Sequence, residues 1–241
     1  MSIARLAIAF AISALTLTRA HGGDTATLEI LGFSADGKIF AFEEYGVQDG
    51  SGFPYANRFY INTETDKFLP GTPVRVRLDD EQATVDTARN EARTNAQSII
   101  SDEILQQNHG YTAGFNAVTE ISADPHRIAV NPRPVFPPID EPLEFRLEEK
   151  VMETTDSCAL FGERVGFRLL RIGTQPGSET MLVHEDESIP ASRSCPLGYQ
   201  FAGVQTFFSE TGASVFAVLI AVRAGGFEGP DYRYLAVTGG F

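Results

Sequence analysis

The densest group of side chains that could do chemistry lies at residues 184–188, which read His-Glu-Asp-Glu-Ser. On an extended strand His184 and Asp186 project to the same side, and an imidazole and a carboxylate at this spacing could begin a metal site with a third ligand from elsewhere. The pattern departs from His-Glu-x-x-His because Ser188 stands where the second histidine would be. We favour the alternative interpretation, a solvated loop beside a disulfide-bonded cysteine.

A second candidate is the glycine-rich stretch around Asp49-Gly50-Ser51-Gly52, with Glu43 and Glu44 nearby. Carboxylate and hydroxyl oxygens are the ligands that calcium prefers, but the regular acidic spacing of an EF-hand loop is missing. A turn shaped by its glycines is the favoured interpretation. No cofactor is therefore predicted, and calcium or another divalent metal is the alternative.

Other catalytic signatures fail a direct check of the sequence. There is no Gly-x-Ser-x-Gly nucleophile elbow and no glycine-rich phosphate loop. Whether the chain is an enzyme stays open at this stage, and a non-catalytic role is favoured.

The first twenty residues have the pattern of a signal peptide. Arg5 precedes a mostly apolar run at 6–17, and Ala20 ends a small-residue cleavage motif. The run is too short for a membrane anchor, which needs about 20 residues. We therefore predict export to the periplasm, cleavage after Ala20, no stable membrane insertion afterwards, and a single secreted β-rich domain at 21–241.

Charge and cysteine content fit this compartment. The formal net charge of −13 becomes −15 when Arg5 and Arg19 leave with the signal peptide, and so acidic a chain would repel nucleic acid. Cys158 and Cys195 are the two cysteines. In an oxidising compartment they are expected to form a disulfide.

Hydrophobic periodicity predicts a fold that is mainly β. Short apolar or alternating runs predict strands, separated by glycine-rich turns; they lie at 28–31, 39–42, 58–62, 74–78, 143–147, 165–169, 181–183 and 213–222. Between 79 and 108 the period changes to three and four residues, which predicts one long amphipathic helix, continuous or in two pieces. The prolines between 131 and 142 predict an extended linker between two halves.

Two segments of the chain repeat each other. Residues 33–63 and 208–238 both begin with Phe-Ser-x-x-Gly, continue into an apolar strand and end on an arginine-led strand, and a weaker copy begins at Ser122. The serine–glycine turn before an alternating strand resembles a β-propeller blade, but the copies are too few to close a propeller. We therefore expect an irregular β-rich domain with related N- and C-terminal β-hairpins that lie next to each other.

A family resemblance covers essentially the whole mature chain. It rests on Gly-Phe-Ser-Ala-Asp-Gly at 32–37, the block at 45–55, the stretch at 184–199 and Gly-Phe-Glu-Gly-Pro-Asp at 226–231. In these motifs the chain resembles a family of bacterial predicted secreted proteins of unknown function, domain of unknown function 2259. The resemblance implies export and a shared fold, and it brings no activity or catalytic residue.

Two functions therefore compete. The favoured one is an exported, non-catalytic binding module of the bacterial envelope, whose loops at 46–55 and 225–234 form a face for an unknown protein or envelope ligand. Exposed aromatic and arginine side chains suit such recognition; the predicted residues are Asp49, Phe53, Tyr55, Arg58, Phe227, Asp231 and Arg233. The alternative is a metal-assisted hydrolase that uses His184 and Asp186.

Overall fold

The computed structural model describes residues 22–153, 155, 157–210 and 212–241. The predicted signal peptide at 1–20 lies outside these residues. Thirteen strands and two α-helices make up the described part of the chain. The strands are β1 Thr27–Phe33, β2 Ile39–Val47, β3 Pro54–Asn62, β4 Lys67–Phe68, β5 Val74–Arg77, β6 Tyr111–Phe115, β7 Arg127–Val130, β8 Leu143–Val151, β9 Val165–Ile172, β10 Met181–Glu185, β11 Pro196–Phe208, β12 Ser214–Ala224 and β13 Asp231–Gly240.

The strands form three antiparallel sheets. The first sheet has the order β1-β2-β3-β4, with β5 also paired to β3, and the third sheet has the order β10-β9-β8-β7. The central sheet, β13-β12-β11-β6, combines the last three strands of the chain with β6. The predicted β-rich fold is confirmed.

The central sheet is covered on both faces, and β12 shows why. Phe216, Val218 and Ile220 belong to the core shared with the third sheet, whereas Ala217 and Leu219 belong to the core shared with the first sheet. Successive side chains of a strand point to opposite faces, so a continuous apolar run buries both. The central sheet therefore lies between the other two.

Two helices cover the outer face of the first sheet. Helix α1, Val85–Ala96, is capped by Thr84 and buries an alanine stripe against the sheet, whereas α2, Asp102–Gln107, is capped by Ser101. Serine and threonine at these positions satisfy free amides at helix starts. The predicted helical segment is confirmed, in two pieces. At Gly32 a Cβ atom would lie 2.1 Å from the Leu105 carbonyl oxygen, so glycine lets α2 approach β1.

The two serine–glycine turns of the related hairpins have the same construction. Gly37 and Gly212 both have positive φ, at 77° and 91°, and each donates its N–H to the carbonyl of the serine three residues earlier. The hydroxyls of Ser34 and Ser209 each accept a bond from the backbone N–H that follows the turn. Glycine is needed because side chains disfavour this conformation.

The segments on either side of these turns lie against each other, as predicted. Phe33 stacks on Phe207 with 5.2 Å between ring centroids, and Phe42 shares one buried cluster with Ala217 and Leu219. The N- and C-terminal segments therefore share a packed face, although they lie in different sheets.

The predicted disulfide and the predicted proline-rich linker can both be compared with the structure. The predicted disulfide is confirmed: Cys158 and Cys195 are bonded, with their Cα atoms 5.4 Å apart. The proline-rich segment at 131–142 joins β7 to β8, which pair directly with each other, so it connects two neighbouring strands of the third sheet. The domain division itself stays a prediction.

Candidate functional site

A cavity of about 480 Å³ opens beside β1, between the first sheet, α2 and the β6–β11 part of the central sheet. This volume lies within the range of small-molecule sites, which are mostly apolar and hold a few converging polar groups. The cavity extends around the edge strand β1: Leu28, Ile30 and Leu219 lie on the side of the central sheet, and Leu105 and the charged side chains lie on the side of the helices.

Strand alternation brings two of these charges together. On β2, Phe42 points into the core with the central sheet, so its neighbour Glu43 points the other way, toward the helices. On β3, Phe59 likewise points into the core with the central sheet, and its neighbour Arg58 points toward the helices. Glu43 and Arg58 are register partners on the adjacent strands, and both side chains are buried, with 1 % exposure each.

The helices supply the matching charges. Arg89 and Arg93 lie four residues apart on α1, beside the alanine stripe, and Asp102 is the first residue of α2. Residues at this spacing share one side of a helix. We call the following group the cavity cluster: Glu29, Glu43, Arg58, Arg89, Arg93 and Asp102.

The charges in the cavity cluster are paired. Arg58 Nη1 and Nη2 donate to the two oxygens of Asp102 at 2.9 and 2.8 Å, and Arg93 Nε lies 3.2 Å from Asp102 Oδ2. Arg89 donates to both oxygens of Glu43 at 3.2 and 3.0 Å and also binds Glu29. Burial would lower the pKa of Arg58, but its hydrogen bond to Asp102 and the nearby acids outweigh burial and raise it.

One donor in this cluster is left over. Arg58 Nε is buried and has no hydrogen-bond partner among the described residues; the nearest acid, Glu43 Oε2, is 4.0 Å away, beyond hydrogen-bond distance. A buried donor without a partner costs about 1–3 kcal/mol. Arg58 lines the cavity, but Nε itself is enclosed by protein and out of reach of a molecule in the cavity.

The mouth of the cavity is also polar. Gln106 and His109 are exposed at this end, while the buried amide of Gln205 is held by Thr112 Oγ1 and the His109 carbonyl, each at 2.8 Å. The cavity is therefore apolar along one side and polar at its mouth and inner wall.

The predicted metal residues lie elsewhere, in a group that we call the loop cluster: His184, Asp186, Arg193 and Tyr199. Asp186 Oδ1 contacts His184 Nε2 at 3.1 Å, and Oδ2 accepts bonds from the Phe167 N–H and from Arg193. Burial alone would raise the pKa of Asp186, but these hydrogen bonds and the Arg193 charge lower it below its usual value. Both oxygens are thus engaged by the protein.

Within the described residues no group of three or more His, Cys, Asp or Glu side chains could hold a metal ion. Among the described residues, His184 and Asp186 therefore have no third side chain with which to bind a metal ion. The described residues also form no set of three metal ligands at the Asp49 loop, where Asp49 Oδ2 accepts a hydrogen bond from the Glu228 N–H at 2.8 Å.

The predicted binding face is brought together only in part. The loops at 46–55 and 225–234 touch, through Asp49 and through Gly50, whose Cβ position would lie 3.6 Å from the Phe227 ring. Phe227 is 86 % exposed and Phe53 is half-buried, under Arg77 at 5.9 Å.

Two of the residues predicted for this face, Tyr55 and Arg58, lie elsewhere in the structure. Tyr55 is 6 % exposed and its hydroxyl binds Asp24 at 3.0 Å; Arg58 points to the helices and lines the cavity. The expectation that Tyr55 is exposed and that Arg58 lies beside it on the surface is wrong. Both residues are inside β3, which begins at Pro54 and pairs on both sides.

Asp231 and Arg233 lie at a separate groove. Arg233 contacts the Tyr55 ring and the backbone and side chain of Asp24, and Asp231 accepts the Asp24 N–H at 2.8 Å. A cavity of about 400 Å³ beside β13 is lined by both residues and by His184. The structure thus unites residues from the two predicted sites, away from the cavity cluster.

Sequence reasoning missed Glu29, Arg89, Arg93 and Asp102. Their signal was present: Arg89 and Arg93 flank the alanine stripe Ala88-Ala92-Ala96, and Glu43 follows an apolar run within one strand. Charges beside a buried stripe need partners, but the sequence does not show which strand supplies them.

No helix among the described residues is long and apolar enough to cross a membrane. Residues 41–239 match the family described as predicted secreted protein (DUF2259), and the chain belongs to this family. No curated protein and no solved structure matches the chain.

Proposed function

We propose that this chain is an exported, non-catalytic binding module of the bacterial envelope, located in the periplasm, which holds a small amphipathic molecule in the cavity beside β1. The observation that carries the proposal is the cavity of about 480 Å³ beside β1, which is lined by partly exposed apolar side chains and by charged side chains of the cavity cluster. The family description and the signal-peptide pattern at 1–20 support export.

The composition of the walls supports the class of ligand. An apolar body would cover Leu28, Ile30 and Phe115, which line the cavity and are still partly exposed, and it would gain about 25 cal/mol for each Å² of apolar surface removed from water. A polar end would meet Arg93, Gln106 and His109, which line the same cavity and are far more accessible than Arg58. The ion pair of Arg93 with Asp102 holds the Arg93 guanidinium in place, and such preorganisation favours binding.

The test is saturable binding of the uncharged fluorescent probe N-phenyl-1-naphthylamine to the purified mature protein. We expect one site, and Ile30→Trp should weaken binding at least tenfold, because the larger side chain fills the cavity from β1. Val47→Trp is the matched control, since Val47 is on β2, is 49 % exposed and does not line the cavity.

The chain contains no tryptophan, so emission of the introduced indole reports where it lies. Blue-shifted emission from the Ile30 variant shows that the cavity is filled. If the probe does not bind, or binds this filled variant as tightly as the wild type, the proposal is wrong.

The alternative function, a metal-assisted hydrolase using His184 and Asp186, is supported by fewer observations. The hydrogen bonds of Asp186 to Arg193 and to the Phe167 N–H favour a structural role for this carboxylate. Elemental analysis of purified protein tests the alternative: stoichiometric zinc or calcium that is lost in Asp186→Asn would favour it.

A further inference from the structure

We infer that the groove beside β13 binds an extended, uncharged apolar segment of another polypeptide, which adds one strand to the free edge of the central sheet. This is a second site, apart from the cavity beside β1 and independent of the function proposed for that cavity. The inference follows from which backbone groups of β13 are already hydrogen-bonded.

β13 lies at one edge of the central sheet, with β12 on its other side. On the outer side, the Tyr234 N–H donates to Glu44 Oε2 at 2.8 Å and the Thr238 N–H donates to Asp66 Oδ1 at 2.7 Å. Backbone groups of an antiparallel strand point alternately toward and away from its partner. Ala236, midway between these two residues, therefore also presents its N–H and C=O outward.

Three neighbouring backbone groups of this edge are unpaired. Within the part of the chain that the structure describes, the Tyr234 C=O and the Ala236 N–H and C=O have no hydrogen-bond partner. The edge before them is closed, because Tyr232 exchanges hydrogen bonds with the backbone at 24–26. An added segment of three extended residues, in either strand direction, supplies two N–H donors and one C=O acceptor for these groups.

The unpaired groups open on the groove. Residues 234–237 are four consecutive residues, and all of them line this space of about 400 Å³. Tyr234 and Ala236 pack toward the first sheet, whereas Leu235 and Val237 pack toward the third sheet. The surface that all four residues share is therefore the strand edge itself, and Ala236 is still partly exposed.

The sides of the groove favour apolar side chains. Phe68 is 50 % exposed and its ring lies 6.0 Å from that of Phe59, and both line the groove on the side of the first sheet. Leu235 lies on the side of the third sheet. Because side chains of an added strand alternate between these sides, apolar residues would contact protein on both.

The charges at the groove favour an uncharged segment. Glu44 and Asp66 stand at the two ends of the unpaired edge, and they would repel an acidic side chain. The groove is also lined by Arg75, Arg193 and Arg233, which a basic side chain would meet. Backbone hydrogen bonds and apolar contacts are then the interactions that the groove offers.

A single flexible chain fits this position better than a second copy of the protein. The edge is recessed between the first and third sheets, so the β13 edge of another copy would arrive together with its own flanking sheets. Two mature chains, each with a net charge of −15, would also repel each other.

Titration of the isotope-labelled mature protein with acetyl-Gly-Ser-Val-Val-Val-Ser-Gly-amide, followed by NMR amide correlation spectra, tests the inference. We expect saturable shifts that include the Ala236 amide. The peptide N-methylated at its valines should bind about tenfold more weakly, because it lacks the two N–H donors. The peptide with aspartate in place of its middle valine should also bind about tenfold more weakly.

Two variants locate the site. Ala236→Pro removes the outward N–H, which proline allows on an edge strand, and should weaken binding about fivefold, the effect of one hydrogen bond. Phe68→Ala should also weaken binding and does not depend on the fold tolerating proline. Val47→Ala is its matched control, since Val47 is 49 % exposed, belongs to the same sheet and does not line the groove.

Four results would overturn the inference. They are no saturable shift at Ala236, equal affinity for the N-methylated peptide, equal affinity for the acidic peptide, and wild-type affinity in Phe68→Ala. A shift of the Ala236 amide on dilution of the protein alone would also overturn it, because a second copy would then occupy the edge. The proposed function survives each of these results, since it concerns the cavity beside β1.

Discussion

The cavity cluster and the loop cluster are both buried groups of charges, yet of the two only the cavity cluster contains a buried donor without a partner among the described residues. In the loop cluster, Asp186 is 4 % exposed and both of its oxygens are bound by protein donors. In the cavity cluster, Arg58 is as deeply buried, but its Nε has no partner among the described residues, and other atoms of Arg58 line the cavity. Buried charges are thus a poor guide to a site unless their hydrogen bonds are counted one by one.

The same contrast separates residues that stabilise the fold from residues that could bind. The loop cluster ties the segment before β11 to β9 and β10, and the disulfide at Cys195 fixes the same segment. The cavity cluster ties α1 and α2 to the first sheet and also lines an opening. His184 and Arg193 of the loop cluster line the groove beside β13, whereas Asp186 does not; changes at Asp186 should therefore alter stability, and changes around the cavity beside β1 should alter binding.

The largest expected effect is loss of the disulfide. Cys158→Ser with Cys195→Ser opens a loop with a sequence separation of 37 residues and should lower the free energy of unfolding by about 4 kcal/mol, from the chain entropy that the bond removes. Urea unfolding measures the change. Binding of N-phenyl-1-naphthylamine by the folded fraction should stay as in the wild type, and its loss would show that the two regions are coupled.

Asp186→Ala should have the next largest effect. It leaves Arg193 and the Phe167 N–H without their acceptor, and breaking a buried ion pair costs about 3–5 kcal/mol; we expect the lower end because Arg193 also contacts the Phe167 and Tyr199 rings. The measurement is again urea unfolding. His184→Gln serves as the control and should cost much less, since His184 lies at the edge of the cluster. A drop below 1 kcal/mol for Asp186→Ala would contradict a structural role.

Lowering the pH should gradually remove the contribution of Asp186 to the free energy of unfolding. The folded-state pKa of Asp186 is lowered, so its stabilisation is complete above about pH 4, the unfolded-state value, and is lost as the pH falls through the lower folded-state pKa. The difference in free energy of unfolding between wild type and Asp186→Asn should therefore be constant from pH 7 to about pH 4 and shrink below. A difference that already declines near pH 6 would point to histidine titration instead.

Phe227→Ala should have the smallest effect. The ring is 86 % exposed, and substitutions at such positions usually change stability by less than about 0.5 kcal/mol. Thermal melts measure this, with Phe42→Ala as the buried comparison, which should cost about 3–5 kcal/mol. A large loss for Phe227→Ala would show that the ring packs in solution. An unchanged melt with altered capture of an envelope protein would favour the loop face as a second binding surface.

The local elements were largely predictable because local periodicity encodes them. The three- and four-residue repeat of Val85, Ala88, Ala92, Ala96 and Ile99 predicted the helical segment, and the apolar run at 213–222 predicted β12. By contrast β11, the longest strand, was not predicted, since Gly198 and Gly203 interrupt its pattern. Its pairing with β12 and β6 determines that it is a strand. Propensity is weak where tertiary pairing decides.

The error at Tyr55 and Arg58 has the same origin. The glycine-rich block at 46–54 suggested that the loop extended through Tyr55, but β3 begins at Pro54 and lies between β2 and β5. A residue within a strand is exposed or buried according to what covers its face, and the helices cover the face of Arg58. The sequence carries no local sign of that cover.

By itself the sequence determined the β-rich composition, the helical segment, the pair of serine–glycine turns, the disulfide partners and the family, because each depends on local pattern, simple counting or a shared motif. Only the tertiary structure decided which charges meet. Glu43 and Arg58 come from neighbouring strands of one hairpin and Asp102 from a helix 44 residues beyond Arg58, and the missing partner of Arg58 Nε depends on a few tenths of an ångström in their packing. Hydrogen bonds depend steeply on distance and angle, so a candidate site of this kind is defined by geometry that no residue pattern specifies.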